Sequence, residues 1–328
     1  MATKKKPAAK TSSAKTTKKP ASKAAPAKAA PKVVEKEIKV EKKSEKGFLK
    51  GFFARKYEGN ESILTIFKSP KIYGALIGEL IGVMLLTIFF LSFGVLEAAG
   101  MNITFQLNTQ ILFVVIGVTI AVFGISGANL NPIITAGMMA TRRMSVIRGV
   151  LYILAQIIGA WGGLLIVSAF KAGGGEAAEA AAALPSMTEV TADTNFWTIA
   201  VLGIITALII GFFFARALRY KKSVFTFAAT VGIGVFVAML VSFAIQTSFF
   251  EYPATYNLAN NAFTFNNPAL ALMYQGFIPT SGADFAAVAS QLGLNLAVFV
   301  GFPVLGSVAG FYLSDVSARM ANAGAEQE

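Results

Sequence analysis

The sequence predicts an all-α polytopic membrane protein, with six transmembrane helices plus two re-entrant half-helices in an inverted repeat. Three observations lead there. Six apolar segments, near 72–95, 110–126, 148–170, 197–218, 224–247 and 287–313, approach the ~20 residues that cross a bilayer. Two Asn-Pro pairs, in Asn131-Pro132-Ile133 and Asn267-Pro268-Ala269, interrupt apolar sequence where a polar pair is costly. Basic and acidic residues segregate into alternate loops.

Each Asn-Pro pair starts a helix, because Asn is a good N-cap and Pro is favoured at the first helical position. The apolar stretches that follow, near 132–141 and 268–277, would form roughly 15 Å of helix. That is half the depth of a hydrocarbon core of about 30 Å. Irregular backbone at membrane depth is tolerated where it lines a polar cavity or is buried in protein. One interruption in each half of the chain therefore points to a pore.

Loop charge sets orientation. The N-terminal tail, Arg142, Arg143, Arg148, Arg216, Arg219, Lys221, Lys222 and Arg319 fall on one side. Glu97, Glu176, Glu179, Glu189, Asp193, Glu251 and Asp284 fall on the other, with Lys171 as the basic exception. The positive-inside rule then puts both termini in the cytoplasm of a multi-pass protein of the plasma (cytoplasmic) membrane. The Asn131 loop enters from the cytoplasm and the Asn267 loop from outside, as an inverted repeat requires. Arg142 and Arg143 close the first half-helix, where they offset its negative dipole end.

Composition excludes several chemistries. The 328 residues include no Cys and no His, which removes disulfides, Cys and His metal sites, and Ser-His or Cys-His catalysis. No feature indicates an enzyme, a cofactor or a metal. The net charge of +12 is a property of the tail, since most of the 29 Lys and Arg precede Ile72.

Four regions are expected. Residues 1–46 are a Lys/Ala/Pro-rich tail of low complexity that cannot bury a core and should be disordered. Residues 47–71 are a juxtamembrane amphipathic segment, where Phe48, Leu49, Phe52 and Phe53 lie beside Lys50, Arg55 and Lys56. Residues 72–314 form the membrane domain, and 315–328 a short cytoplasmic C-terminal tail. The basic tail is either a solvated tether or a contact with anionic lipid, at about 1 kcal/mol per basic residue near the surface. It lacks the aromatic groups that stack on bases, which argues against nucleic acid. Gly74, Gly78 and Gly82 in the first span, and Gly306 and Gly310 in the last, fall four apart. They are either close-packing faces or ordinary membrane-helix glycines.

Ser126-Gly127-Ala128-Asn129-Leu130-Asn131-Pro132 resembles the first signature of the aquaporin (major intrinsic protein) family. Tyr152-Ile153-Leu154-Ala155-Gln156-Ile157-Ile158-Gly159-Ala160 resembles that family's third span, Gly78-Glu79-Leu80-Ile81-Gly82 its first, and Phe302-Pro303-Val304-Leu305-Gly306 its sixth. The likeness covers roughly 70–314. It implies a homotetramer with a pore in each subunit and passive conduction of water or small neutral, glycerol-like solutes. It implies that Asn131 and Asn267 donate amide hydrogens to solute at the midplane. Pro132 with Ile133, and Pro268 with Ala269, would lock the half-helices tip to tip.

The chain departs from the family pattern at the outer constriction, where Leu270 replaces the usual Arg. Counting from the two motifs places the filter at Ile111, Met239, Thr264 and Leu270, with no charge and no aromatic. Such a ring is either broadened, passing larger solutes, or dewetted, acting as a barrier. Ile133 in place of Ala either narrows the lumen or repacks the half-helix contact. The long outer loop 249–265 caps the mouth, supports neighbouring subunits, or is a tolerated insertion.

Glu79 is the carboxylate deep within a span, and an intramembrane acid is a functional candidate. The family implies a structural role, in which it accepts hydrogen bonds from the first re-entrant loop. Its counterpart in the second half is Gly203. Competing with the channel are a secondary transporter, for which Glu79 alone offers coupling, and a non-conducting structural or adhesion protein of the same fold.

Overall fold

The computed structural model describes residues 63–98, 104–172, 196–249, 267–274 and 285–325. The tail before Ile63, the loop 250–266 and Thr264 within it lie outside them. The described residues are 92% helical and include no strand. A short helix α1 (Ile63–Lys68) precedes the spans α2 (Pro70–Ala98), α3 (Thr104–Ser126), α5 (Val146–Ala172), α6 (Phe196–Ala217) and α7 (Val224–Phe249). The half-helices are α4 (Pro132–Ala140) and α8 (Pro268–Tyr274). The last span joins α9 (Phe285–Leu296), a π-helical turn at Ala297–Gly301, and α10 (Phe302–Ala325). Six segments are thus long and apolar enough to cross a membrane, as the sequence predicts. α10 continues well past the expected end of the membrane domain at 314.

Local chemistry sets the boundaries. Ser145 and Ser223 accept hydrogen bonds from the Arg148 and Thr226 amides and start α5 and α7. At the other end of α4, Arg142 N–H donates to Met139 O and Arg143 N–H to Met138 O, a Schellman closure. Its left-handed position is filled by Arg142, at φ 56°, where glycine is usual. In the last span, Pro303 has no amide to donate to Phe299 O. The turn before it widens instead, with Phe302 N–H bonded to Ala297 O.

The two halves pack as one motif used twice. α2 lies against α5, and α6 against α10. A side chain at Gly159 would strike Leu80 O, and one at Gly163 would meet Met84 O at 2.8 Å. In the second half, Gly306 and Gly310 sit equally close to Ile204 O and Leu208 O. The Gly306–Gly310 spacing is therefore a backbone contact face. In the first span, Gly78 and Gly82 face Ser126 and Leu130 instead, so they admit the end of α3 and the first re-entrant loop. The opposite edge of α2, with Tyr73, Ile77, Ile81 and Leu85, is exposed, as suits a lipid-facing helix.

The half-helices cross over. α4 packs against α10 of the second half, and α8 against α5 of the first. Ser307 Oγ donates to Ile133 O at 2.8 Å, and Phe311 fills the space beside Gly137. Neither half can close its own centre. Ile66 of α1 is buried against Ile72, Ala75 and Tyr152, while Leu64 is 75% exposed.

The glycine contacts give a paired expectation. Gly310→Leu would drive a side chain into the Leu208 carbonyl and the Phe212 amide, and overpacking of this kind costs about 1–3 kcal/mol or more. Gly124 has open space at its Cβ position, so Gly124→Ala should be neutral or stabilising. Thermal unfolding of the detergent-solubilised chain separates the two. Equal melting temperatures would show that the α6–α10 contact is not tight.

Candidate functional site: a midplane passage

The first re-entrant loop runs from Ser126 to Asn131 and is held open by unusual backbone. Gly127, Ala128 and Leu130 all have positive φ, at 87°, 54° and 55°. For non-glycine residues such a conformation costs roughly 1–2 kcal/mol each. The surroundings fix it. Glu79 Oε1 accepts from Asn129 N at 2.9 Å, and Oε2 accepts from Leu130 N at 2.7 Å. Gln156 Nε2 donates to Glu79 Oε2 at 2.8 Å and to Thr135 Oγ1 at 3.1 Å. Thr135 Oγ1 donates to Asn131 O at 3.2 Å, and Ser126 Oγ accepts from Ala128 N at 3.0 Å. Glu79, Gln156 and Thr135 have no exposed surface.

Both Asn-Pro pairs cap half-helices. Asn131 is extended, at φ −155° and ψ 127°, and its Oδ1 accepts from Ile133 N at 3.0 Å. Asn267 Oδ1 accepts from Ala269 N at 3.1 Å. Using Oδ1 for the cap turns Nδ2 toward the other loop, and Asn267 Nδ2 donates to Leu130 O at 3.3 Å. The two loops are thereby joined. Asn131 and Asn267 line one cavity of about 40 Å³, together with Leu86, Val115, Thr119 and Val231. No charged residue lines it among the described residues. Donors on otherwise apolar walls can orient a neutral hydrogen-bonding molecule without binding it tightly. Asn129 also lines a wider vestibule at the Arg-rich end of the bundle.

The other site residues divide. Ile133 and Ala269 are fully buried and stand away from the cavity lining, where Ile134 is found instead. Ile111, Met239 and Leu270 are each 1% exposed and share one apolar cluster with Phe90 and Val115. They stand away from the cavity lining, and Thr264 lies outside the described residues. Gly203 faces the Pro303 ring, 3.2 Å from where its Cβ would stand.

Thr119 is a site residue that the sequence does not single out. Thr87, Thr206 and Thr230 donate to the carbonyl four residues back, at 2.7–2.8 Å, the usual solution in an apolar helix. Thr119 Oγ1 has no such partner among the described residues, although it is buried and lines the midplane cavity. A threonine in an apolar run carries no mark of this, because the i−4 bond is its ordinary fate.

Six apolar spans, with two half-helices whose asparagine caps meet at one small cavity, define a multi-pass membrane protein. The model of the family described as "Major intrinsic protein" matches residues 66–259, and the chain belongs to that family, one of transporters and not of enzymes. The match ends before Asn267, so the second motif stands on its own geometry. Stretches of the chain are similar to aquaporin PIP2-5 of Oryza sativa subsp. japonica, with 39% identity over 75 residues, 21% of this chain and 26% of that protein. Probable aquaporin PIP2-2 of the same organism is 48% identical over 48 residues, 15% of this chain and 17% of that protein. Probable aquaporin PIP2-4 of Arabidopsis thaliana is 48% identical over 48 residues, 15% and 16% of the two chains. The matched stretches span about a quarter of these relatives or less.

The loop brace predicts an asymmetric response. In Glu79→Gln the two loop amides face one carbonyl and one NH2 group, so one buried donor loses its acceptor, at about 1–3 kcal/mol. Its melting temperature should fall by several degrees. Thr119→Val removes a hydroxyl without a protein partner and should not lower it. The reverse order would show that the loop does not depend on Glu79.

Proposed function

We propose that the protein is a passive channel for water and small neutral solutes. The observation that carries this reading is the convergence of Asn131 and Asn267, from opposite halves, on one uncharged midplane cavity. The N-terminal ends of the half-helices carry partial positive charge and disfavour cations and protons there. Glu79 is committed to loop amides and to Gln156, which argues against a proton-coupled carrier. Family membership favours the same class.

The Arg-free filter is read as an apolar constriction. The burial of Ile111, Met239 and Leu270 supports a tight, poorly wetted ring more than a broadened one. Water is then expected to pass more readily than glycerol. Each subunit would carry its own pore in a homotetramer, with both termini cytoplasmic in the plasma membrane. The basic tail would lie against anionic lipid. A non-conducting structural or adhesion role of the same fold is the alternative.

Proteoliposomes of the full chain test the reading by stopped-flow shrinkage in sucrose and then in glycerol. Water flux well above empty vesicles with little glycerol recovery is expected. Flux equal to empty vesicles, with the protein verified as assembled, would leave the structural role. Two variants locate the path. Leu270→Arg should change water flux if Leu270 lines the constriction. Thr119→Val, which removes a hydrogen-bonding group from the cavity wall, should change glycerol passage more than water. Indifference to both would move the path elsewhere.

A further inference from the structure

At the Arg-rich end of the bundle lies a vestibule of about 660 Å³. Arg142, Arg143, Arg148, Arg219, Lys221 and Asp315 line it. Five cations and one carboxylate converge on one cavity, whereas no charged residue lines the smaller cavity at the half-helix caps among the described residues. The charges come from separate parts of the chain: the turn after α4, the start of α5, the turn between α6 and α7, and α10.

Part of this set is pre-organised. Arg143 Nη2 donates to Asp315 Oδ1 at 2.6 Å, and Nη1 donates to Thr141 Oγ1 at 2.8 Å. Its guanidinium also lies over the Phe311 ring, 5.4 Å from the centroid. Arg142 is the more telling residue. It holds the left-handed position of the α4 closure, where glycine would be unstrained. Non-glycine strain of this kind clusters at functional sites and persists where the surrounding structure fixes it.

Membrane orientation alone asks only for cations on the correct side, and they serve equally well on the outer rim. Lys68, Lys71, Arg216 and Lys222 occupy that end without lining the vestibule. The set that lines the vestibule carries five positive charges against one negative, with Arg142, Arg219 and Lys221 exposed and Arg143 and Arg148 half-buried, so its cations are open to a ligand from solvent.

We propose that this vestibule is a binding site for a multivalent phosphate-bearing anion. Guanidinium forks suit phosphate oxygens, and the net charge of the lining suits more than one phosphate charge. Two sources share that chemistry: a soluble polyphosphate-type metabolite and the headgroup of an anionic lipid. Asn129 lines both this site and the smaller cavity, so on the channel reading an occupant would hinder solute there. The consequence for flux rests on the channel reading; the binding does not.

The test is isothermal titration of the full chain in neutral detergent with pyrophosphate, at ionic strength held constant with chloride. The Lys-rich tail contributes non-specific, salt-sensitive binding, so comparison between variants is the readout. Arg142→Gly combined with Arg219→Gln should weaken binding by about tenfold or more, as expected for lost charge-assisted hydrogen bonds. Arg142→Gly relieves the left-handed strain, so this variant should fold. Lys68→Gln with Lys71→Gln should bind as the native chain does. A parallel arm uses nanodiscs of phosphatidylcholine with or without phosphatidic acid. Selective enrichment of phosphatidic acid around the native chain, lost in Arg142→Gly/Arg219→Gln, assigns the headgroup source and supports the site. Equal binding by native and vestibule variants in both arms overturns it, as does absence of binding in both. Proteoliposome flux adds a separate outcome. Binding without any flux would sink the channel reading and leave the anion site standing.

Discussion

The Glu79 carboxylate is the constraint on which the rest of the first half depends. Three left-handed residues in the 126–131 loop are unfavourable by several kcal/mol together, on the order expected for two non-glycine positions. Their conformation turns the Asn129 and Leu130 amides toward α2, where a carboxylate supplies one oxygen to each. With those amides satisfied, the Leu130 carbonyl is presented to the other loop, and Asn267 binds it. The placement of both asparagines at one cavity follows from a single buried acid.

Much of this was legible in the chain. The six spans, the two helix starts and the close approach at Gly306 and Gly310 follow from length, capping chemistry and spacing. Glu79 announced itself as a carboxylate among apolar residues. Other features were illegible for physical reasons. Thr119 looks like any membrane threonine until its backbone bond is found missing. Gln156 and Thr135 complete the brace across long sequence separations, and nothing local pairs them. Counting from the motifs put the filter at Ile111, Met239, Thr264 and Leu270, and the three of these that the structure describes are buried in the large apolar core away from the cavity lining. It could not reveal that they would be buried in one apolar cluster, since burial depends on how α3, α7 and α8 close around them.

The charged loops show a similar division. Their alternation is a linear property and predicts orientation. That Arg142, Arg143, Arg148, Arg219 and Lys221 would share one recess depends on the turn after α4 meeting the turn after α6. Only the fold sets that. The left-handed φ at Arg142 is equally invisible, because a Schellman closure is ordinarily announced by glycine.

The inverted repeat is symmetric in backbone and asymmetric in chemistry. Gly159 and Gly306 occupy matching contacts, against Leu80 and Ile204. By that register Glu79 corresponds to Gly203, Gln156 to Pro303, and Thr135 to Ala271. Every member of the polar brace in the first half has an apolar counterpart in the second. Replacing a complete buried network by fitting apolar groups is often neutral in energy, whereas losing one member is costly. The second half has lost all of its members together, which is the tolerable way to lose them. Gly203 makes room for the Pro303 ring, and the π-helical turn before Pro303 absorbs its missing amide. The second half-helix is supported by packing of α8 against α5, α4 and the last span, and by the Asn267 bond to Leu130. The second motif leans on the first one, and the order imposed by Glu79 reaches it through that bond.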